Sequence, residues 1–379
     1  MKLNNDVITL FNLFNKSGHK LYIIGGAVRD YLLNKDIEDY DFATTAKPSE
    51  IINILSSYSL DTFQEKLGSI KVHLNNKTYE ITTFRKEVGV KDYRYPSEVV
   101  FVDTLKEDVL RRDFTINALA YNIDEGIVDY LDGISDLNNK VIKFIKSTKN
   151  SINEDPIRLI RALRFSKALD FKISEEDLLL FKELAYKIND LGKIKYDELL
   201  KLFKINGCKD HLIKYFDIYK KAYPDIFNDK FKEILKTNIN NLYLKFIICY
   251  INPNVDLSLN KIDKLVLDGL NKINCANNDL YYTKLLMIEY KEHLNTILEI
   301  LSYINEDVYK IIENVKYIQD NNCALGVKDL DINYLDLESL GIPKNNYSKV
   351  LKYLLDEVLH NDKLNNKESL IRLIDKKGD

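Results

Sequence analysis

Residues 21–33, LYIIGGAVRDYLL, join a short apolar run to a segment with helical spacing. The apolar residues before Gly25 predict a buried strand, and the glycine pair predicts a tight turn from that strand into a helix. Because glycine lets the backbone approach a ligand and a helix N-terminus favours negative charge, this turn can receive a phosphate group. Arg29 lies one turn into the helix and can reach the same anion. The stretch therefore predicts an anion-binding turn.

The next stretch, residues 37–44 with the sequence IEDYDFAT, predicts a second strand. Asp39 and Asp41 are two positions apart, so a strand would point both carboxylates to one face. Two such carboxylates beside a phosphate can hold two Mg²⁺ ions, which activate an attacking hydroxyl and stabilise a leaving pyrophosphate. Acidic residues on a solvated strand face are the alternative for an isolated pair. The glycines, the arginine and the acids in this order together favour metal-dependent phosphate chemistry.

The first 145 residues alternate strand-like and helix-like segments. The further predicted elements are a helix at 48–58, a hairpin of strands 69–74 and 78–84, a strand at 98–102 and a helix at 105–121. From about residue 150 onward nearly every apolar segment has helical periodicity. The sequence therefore predicts an α+β fold, in which an N-terminal head with a small mixed sheet is followed by an all-α remainder.

Arginine residues are concentrated in the first part of the chain. Nine of the 55 basic residues are Arg, and eight of these nine precede residue 165. Arg forms planar, bidentate hydrogen bonds to phosphates and base edges that Lys cannot form, so this concentration favours recognition of nucleotides. Structural salt bridges are the alternative. Because the net charge is −3, an RNA ligand needs a local basic patch.

Composition also limits the compartment and the class of protein. The cysteines are scattered singly, which fits neither a zinc site nor a secreted disulfide framework, at Cys208, Cys249, Cys275 and Cys323. We therefore expect a reducing cytoplasm. No run of about 18 apolar residues occurs, and the N-terminal residues lack the features of a signal peptide, so we expect no membrane association.

Several stretches resemble the class II tRNA nucleotidyltransferase and bacterial poly(A) polymerase family. Beside residues 21–44, they are KEDVLRRDFTINALAYN at 106–122, IVDYLDGISDLNNKVIKFI at 127–145, NEDPIRLIRALRF at 153–165 and GIPKNNYSKVLKYLLDEVLHNDKLNNKESL at 341–370. The resemblance implies a nucleotidyltransferase head at 1–145, a helical neck with a base-reading helix at 146–205, a helical body at 206–300 and a tRNA-binding helical tail at 301–379. The middle of the chain is similar only in being helical.

The same resemblance implies roles in catalysis. Asp39 and Asp41 would be the metal ligands. Glu80, on the predicted strand YEITTF, would be a third acidic group of the catalytic site, although an exposed strand Glu is the common alternative.

Further family motifs imply how the nucleotide is held. The residues concerned are Gly25, Gly26, Arg29, Arg111, Arg112, Asp113 and Asn117. Among them, Gly26 and Arg29 would contact the triphosphate. Arg112 and Asp113 would hold the ribose and distinguish ribonucleotides from deoxyribonucleotides.

The motif at 153–165 implies that Asp155 and Arg158 read the base. Their i, i+3 spacing predicts neighbours on one helix face. Ionised Asp only accepts hydrogen bonds and Arg only donates them, so together they can match cytosine and, after a small rotation, adenine. Arg161 and Arg164 continue the helix and could reach the triphosphate. An Asp–Arg ion pair with two solvated arginines on a surface helix is the alternative.

The resemblance implies addition of C, C and A to the 3′ end of tRNA from CTP and ATP. The expected partner is the tRNA acceptor arm and elbow, with no protein partner. The alternatives are A-only or CC-only addition, poly(A) synthesis, or an inactive helical RNA-binding relative. The neck segment IKYDELLKLF, at 194–203, lacks the Arg that the family often has there, and Ser348 stands where the tail often has Gly. These departures concern how tRNA is held.

Residues 85–97 are rich in charge and lack apolar periodicity, which predicts a mobile surface loop. Asp92, Arg94 and Pro96 resemble the flexible loop of A-adding members of the family. The resemblance implies that this loop switches the pocket from reading cytosine to reading adenine. A passive connector is the alternative.

Overall fold

The chain folds into two compact units, Met1–Phe227 and Asn228–Asp379. The structure is a computed structural model that describes residues 1, 3–89, 98–255 and 257–377. The predicted fold class is confirmed, because the first unit contains a mixed sheet and the rest is mainly helical. No helix among these described residues is long and apolar enough to cross a membrane. The division into head, neck, body and tail stays a prediction.

The first unit is organised by one large sheet. Its strands, with a separate hairpin, are β1 (Leu21–Ile24), β2 (Asp41–Thr44), β3 (Ser59–Asp61), β4 (Ser69–Leu74), β5 (Lys77–Thr83), β6 (Arg85–Val88), β7 (Glu98–Phe101), β8 (Ala120–Asn122) and β9 (Gly126–Val128). Seven strands form the order β3-β4-β5-β2-β1-β8-β9, and β6 pairs with β7. Strands β2 and β5 are parallel and the other neighbours are antiparallel, so the sheet is mixed as predicted.

Helices complete both units. Those of the first unit are α1 (Asn5–Lys16), α2 (Gly26–Leu32), α3 (Pro48–Ile54), α4 (Leu105–Val109), α5 (Gly133–Asn138), α6 (Thr148–Glu154), α7 (Ile157–Leu169), α8 (Glu175–Leu184), α9 (Lys193–Phe203), α10 (Cys208–Lys214) and α11 (Phe216–Ala222). Those of the second are α12 (Asp229–Lys236), α13 (Leu244–Ile251), α14 (Lys261–Lys272), α15 (Leu280–Tyr290), α16 (Leu294–Ser302), α17 (Val308–Asp320), α18 (Tyr334–Ser339), α19 (Tyr347–His360) and α20 (Lys367–Lys377).

Strand β1 is apolar throughout because both faces of the sheet are covered there. Leu21 and Ile23 pack in a core with α1 and α3, whereas Tyr22 and Ile24 pack in a second core with α4. All four residues are buried. A strand that is buried on both faces needs a continuous apolar run, and Leu21–Ile24 provide it.

The second strand is shorter than predicted. It begins at Asp41 and not at residue 37, so Asp39 lies before the strand and the argument that both carboxylates share one strand face is wrong. The physical reason is the length of its partner. Strand β1 pairs with β2 only from Leu21 to Ile24, because Gly25 then turns the chain into α2.

The hairpin is confirmed. Strands β4 and β5 pair over their lengths, and Asn75 and Asn76 both adopt positive φ angles, of 44° and 64°. Two consecutive residues of this kind make the tight turn whose twist matches antiparallel strands.

Part of the predicted surface loop at 85–97 is instead a strand. Arg85 to Val88 pairs with Glu98 to Phe101 along an antiparallel ladder. Pairing across the ladder does not require apolar periodicity, so the sequence pattern gave no sign of it. Asp92, Arg94 and Pro96 lie outside the described residues.

The predicted helix at 105–121 is also much shorter. Helix α4 ends at Val109, and Ala120 joins the sheet opposite Ile24. Between them the carboxylate of Asp113 accepts the backbone N–H of Phe114, which gives this amide a partner outside a helix. Local side-chain bonds of this kind compete with helix formation, and burial of the last residues in the sheet completes the change.

Candidate active site

A pocket of about 660 Å³ opens in the first unit. It is lined by Gly25, Gly26, Arg29, Asp41, Gln64, Leu67, Arg85, Glu87, Arg111, Arg112, Asp113, Asn117, Asp155, Ile157, Arg158, Arg161 and Phe165. Most of the predicted site residues are therefore brought together from segments more than 100 residues apart. Asp39, Glu80 and Arg164 are the described predicted residues that do not line it.

The glycine turn forms one wall. Gly25 has a φ of 78°, a conformation that side chains other than glycine rarely adopt, and its N–H donates to the carbonyl of Leu119 over 3.0 Å. A Cβ atom at Gly25 would lie 3.6 Å from the carbonyl oxygen of Asn117. The strained turn, more than lack of space, explains the glycine, and it leads directly into α2 and Arg29.

Asp41 is the one member of the predicted catalytic acids Asp39, Asp41 and Glu80 that lines the pocket. As the first residue of β2 it pairs with Ile24 on one side and with Glu80 of β5 on the other, so it lies next to the glycine turn. Asp41 is exposed at the surface of the pocket. The surrounding protein nevertheless partly desolvates its carboxyl group, which raises the pKa of Asp41. The like charge of Glu80 raises that pKa further, and Arg112 opposes the change.

Glu80 and Asp39 stand beside Asp41 without lining the pocket. Ser69 donates a 2.5 Å hydrogen bond to the Glu80 carboxylate from the neighbouring strand β4. Asp39 is exposed in an irregular segment, and its charge also raises the pKa of Asp41. The catalytic role of Glu80 and the metal-ligand role of Asp39 stay predictions.

Arg29 is held from two sides. Its Nη1 donates to the amide oxygen of Asn117 over 2.8 Å, and its Nε donates to Asp30 over 2.9 Å. The side chain is buried, with 10% of its surface exposed, at the edge of the pocket. This fixes the guanidinium beside the glycine turn, where the sequence predicted a phosphate contact.

Asp113 organises the floor of the pocket. Its carboxylate accepts hydrogen bonds from Arg161, at 2.8 and 2.6 Å, and from the amide of Asn117, at 3.1 Å. Burial by itself would raise the pKa of Asp113, but Arg161 and the other donors outweigh it and hold that pKa below its usual range. Arg29, Asn117, Asp113 and Arg161 thus form one continuous chain of hydrogen bonds. Ribose recognition by Asp113 stays a prediction.

Asp108 is an important residue that the sequence argument missed. Its carboxylate is fully buried and accepts from Arg111 at 2.9 Å, from Arg112 at 3.1 Å and from the backbone N–H of Arg85 at 3.2 Å. The guanidinium groups of Arg112 and Arg111 outweigh the effect of burial and lower the pKa of Asp108. The signal was available, because Asp108 precedes these arginines by three and four positions.

For the nucleotide substrates that the sequence resemblance implies, we expect Asp108→Asn to raise the KM about tenfold, which is about 1.4 kcal/mol of binding energy. Removal of the charge leaves Arg111 and Arg112 without their buried anion, and such arginines lose their orientation and destabilise the fold. Steady-state kinetics with CTP and ATP and a thermal melt measure both effects. Asp103→Asn, at an exposed position outside the pocket, is the matched control. An unchanged KM in Asp108→Asn would contradict the orienting role.

Asp155 and Arg158 both line the pocket, but they do not share a helix as predicted. Helix α6 ends before Asp155, Pro156 follows, and α7 begins at Ile157. A residue that precedes proline is disfavoured in helical conformation, and Asp155 has extended angles of −148° and 97°. The carboxylate of Asp155 accepts the backbone N–H of Ile157 at 3.3 Å. Asp155 therefore lies just before α7, and Arg158 lies in the first turn of that helix.

Arg158 has protein partners of its own. It donates to Glu154 over 3.3 Å and to the carbonyl oxygen of Arg111 over 3.0 Å. The second bond connects the predicted base-reading segment to the segment that carries the predicted ribose contacts.

Arg164 was predicted to reach the triphosphate, and the structure places it away from the pocket lining. It donates to Glu198 of α9 over 2.7 Å, and Glu198 also lies 3.9 Å from Arg161 and 2.7 Å from Lys201. Glu198 is therefore a second missed residue, within the neck segment that lacks the expected Arg. It anchors the basic face of α7 to α9.

Six lining residues had no assigned role, and two of them, Arg85 and Glu87, belong to β6. Arg85 donates to Glu87 over 3.2 Å and also to the carbonyl of Leu67, while its buried Nε has no partner within the described chain. Arg85 belongs to the early arginines that the composition singled out. Gln64 and Leu67 gave no sequence signal, whereas Ile157 and Phe165 lie within the motif at 153–165 but had no assigned role.

The pocket suits a polyanion together with a divalent cation. Six arginines line it, and Asp41 is its accessible carboxylate beside the glycine turn. Among the described residues no group of three or more His, Cys, Asp or Glu gathers as a metal site. Mg²⁺ does not require one, because it is commonly bound by one or two carboxylates together with substrate phosphates. The residues present therefore fit such an ion when a triphosphate is bound.

Known proteins are similar to this chain in sequence. Residues 21–143 match the Poly A polymerase head domain. A CCA-adding enzyme of Lactobacillus johnsonii is 43% identical over 220 residues, which are 56% of this chain and 52% of that protein. A CCA-adding enzyme of Staphylococcus haemolyticus is 29% identical over 398 residues, with 98% of each chain covered. For three of the most similar relatives the matched part spans about half of their length, from 47 to 52%.

Solved structures share the fold. The Bacillus stearothermophilus CCA-adding enzyme in complex with CTP has a TM-score of 0.67 and 20% identity, and the match covers 98% of this chain and 96% of that chain. The Thermotoga maritima CCA-adding enzyme complexed with tRNA_CCA has a TM-score of 0.65 and 20% identity, with 99% and 96% covered. The likeness extends over both compact units.

Proposed function

We propose that this chain belongs to the family of the CCA-adding enzymes and adds C, C and A to the 3′ end of tRNA, because residues 21–143 match the Poly A polymerase head domain and the sequence relatives are CCA-adding enzymes. The substrates are CTP and ATP, no nucleic-acid template is used, and pyrophosphate is released. The reaction takes place in the cytoplasm, which suits four cysteines that form no disulfide.

One observation carries the proposal. A single pocket joins the accessible carboxylate of Asp41, the glycine turn with Arg29, and the pair Asp155 and Arg158. Asp41 can bind a metal ion, and the glycine turn with Arg29 can bind a triphosphate. Asp155 and Arg158 can form hydrogen bonds to the edge of a base. A nucleotide needs all three at once, whereas a structural salt-bridge network needs none of them to be accessible.

The chemistry divides among these residues. The RNA 3′ oxygen bonds to the α-phosphorus of the nucleotide, the bond to pyrophosphate breaks, and the hydroxyl proton is released. Arg29 and Arg161 bind and orient the phosphates, since guanidinium groups bind phosphate oxygens bidentately, and Arg112 with Asp113 holds the ribose. Two Mg²⁺ ions bound by Asp39 and Asp41 would activate the hydroxyl and stabilise the leaving group.

Base selection falls to Asp155 and Arg158. The carboxylate accepts the exocyclic amine that cytosine and adenine share, and the guanidinium donates to a ring nitrogen or carbonyl. Uracil and guanine present a carbonyl where the carboxylate needs a donor. The bond of Arg158 to the Arg111 carbonyl limits how far the guanidinium can turn without breaking a protein contact.

The helical part holds the tRNA in this proposal. The head at 1–145 performs the chemistry, the neck at 146–205 carries the base readers, and the body and the tail at 206–300 and 301–379 bind the acceptor arm and elbow. The tail itself has a compact core built around Leu337, Leu351, Leu354 and Val358.

One assay tests the function. The full chain is incubated with Mg²⁺ and labelled CTP or ATP, using tRNA that ends before the first C and, separately, tRNA that ends in CC. Incorporation of two C and one A on the first substrate supports the proposal. A alone, CC alone or a long A tract would replace it with the corresponding activity of the family, and no incorporation would identify an inactive RNA-binding relative.

A second prediction concerns the segment that contains Asp92, Arg94 and Pro96. We expect replacement of residues 91–96 by a Gly/Ser linker to leave CC addition within about tenfold of the wild type, or about 1.4 kcal/mol in barrier. Addition of the terminal A should fall about tenfold further, because the segment biases the base readers toward the larger base. Equal losses on both tRNA substrates would show that the segment only supports folding or binding.

A further inference from the structure

Phe165 lies at the meeting point of three arginine side chains. The Cζ atoms of Arg29, Arg161 and Arg164 lie over its ring at 5.2, 5.5 and 4.2 Å from the centroid. The ring itself is 8% exposed and lines the pocket. Cations within about 6 Å of an aromatic face are attracted by its negative quadrupole, so one ring stabilises three positive charges.

Each of these arginines is also bonded to a polar side chain on another segment of the fold. Arg29 is bonded to Asn117 at 2.8 Å, Arg161 to Asp113 at 2.6 Å and Arg164 to Glu198 at 2.7 Å. Arg29 is additionally bonded to Asp30, and Arg161 is bonded to Asp113 through both Nε and Nη2. The shared ring adds a contact that is common to all three guanidinium groups, and it lowers the cost of placing three like charges together.

The aromatic nature of Phe165 is what this arrangement uses. Phe165 packs edge-on against Phe114 at 5.8 Å, Phe114 lies 5.0 Å from Phe144, and Phe144 lies 6.0 Å from Phe181. Phe114, Phe144 and Phe181 fill the core, which aliphatic side chains could also do. Phe165 is the member that lines the pocket and has arginines over its ring.

We propose that Phe165 is a positioning residue for the phosphates of the nucleotide, acting through the guanidinium groups of Arg29 and Arg161, which line the pocket, with Arg164 held behind them. The proposal rests on the proposed function, because it takes a nucleoside triphosphate as the occupant. It assigns to this ring an effect on phosphate affinity that is separate from base choice and from tRNA binding.

The test compares Phe165→Leu, which removes the ring, with Phe165→Tyr, which keeps it, in the full chain. Phe144→Leu is the matched control, because Phe144 is a buried ring of the same row and no guanidinium among the described residues lies over it. The measurements are KM for CTP, ATP and tRNA, the inhibition constant of pyrophosphate, and a thermal melt. Phe165→Met replaces the leucine variant if the latter does not fold.

We expect Phe165→Leu to raise the KM for CTP and ATP and the inhibition constant of pyrophosphate about tenfold, with the KM for tRNA within about threefold. Phe165→Tyr should stay within about threefold of the wild type on every measure. Phe144→Leu should lower the melting temperature without changing the affinity for pyrophosphate. Its KM values for CTP and ATP should likewise match those of the wild type.

Two outcomes would overturn the proposal. Unchanged pyrophosphate inhibition in Phe165→Leu would show that the ring does not position the arginines, and an equal rise in Phe144→Leu would show that general packing is responsible. These outcomes concern an active wild-type enzyme. Absence of any incorporation by the wild type would instead reject the proposed function, so the two failures are distinguishable.

Discussion

Asp41→Asn is expected to abolish incorporation of both CTP and ATP, by about a thousandfold or more. The substitution keeps the shape of the side chain but removes the charge that holds a divalent cation. A metal ion contributes several kcal/mol of transition-state stabilisation to phosphoryl transfer, which corresponds to a loss of this size. Because Asp41 is the first residue of β2 and does not lie in a core, tRNA binding and the melting temperature should change little.

The measurement is single-turnover incorporation at saturating nucleotide, with filter binding of tRNA alongside. Asp36→Asn is the control, since Asp36 is an exposed acid on the same segment outside the pocket. Asp39→Asn is expected to fail in the same way as Asp41→Asn. Residual turnover above about a tenth of the wild type in either variant is incompatible with a metal-ligand role for that residue. Activity in Asp39→Asn alone would assign the metal to Asp41 and the phosphates.

The second large effect is expected on base choice. Asp155→Ala should relax discrimination against UTP and GTP by roughly a hundredfold, because an unmatched polar edge in a closed pocket costs a few kcal/mol. The variant Asp155→Asn tests base choice more specifically. The amide retains an oxygen for the N–H of Ile157 and presents a donor to the base, so UTP should gain more than GTP relative to CTP.

Incorporation of all four nucleotides by wild type and both variants tests this expectation. Glu183→Ala, which removes an exposed carboxylate from α8, controls for a change in charge. Unchanged selectivity in Asp155→Ala would mean that the base is read by other residues of the pocket. A loss of all four activities in Asp155→Ala with normal activity in Asp155→Asn would assign the residue to the start of α7 and not to the base.

The arginines show how far composition can lead. Their concentration before residue 165 predicted a site for planar recognition, and six of them line the pocket. The alternative of structural salt bridges is also partly correct, because Arg111 and Arg112 share Asp108, and Arg164 is bonded to Glu198. Counting residues could not separate these uses, since a guanidinium that orients another group and one that binds a ligand have the same sequence signature.

Predictions from residue spacing are confirmed where they concern neighbouring residues, and they are wrong where the spacing crosses the boundary of a helix or strand. The Asn75–Asn76 turn and the strand–glycine–helix unit depend on neighbouring residues only, and both are confirmed. Asp39 was placed on a strand and Asp155 on a helix, and neither lies there. In the first case the limit is the length of the partner strand, and in the second it is a proline.

The sequence by itself determined the fold class, the position of the glycine turn and the residue types of the candidate site, because apolar periodicity, glycine and proline act over a few residues. Only the tertiary structure decided which groups meet. The hydrogen bonds of Asp113 to Arg161, of Asn117 to Arg29 and of Glu198 to Arg164 join segments 34 to 88 residues apart. The bond of Glu198 follows from the packing of α7 against α9, and the bond of Asn117 follows from the packing of α2 against residues 115–117. Burial then makes each charge depend on its partner.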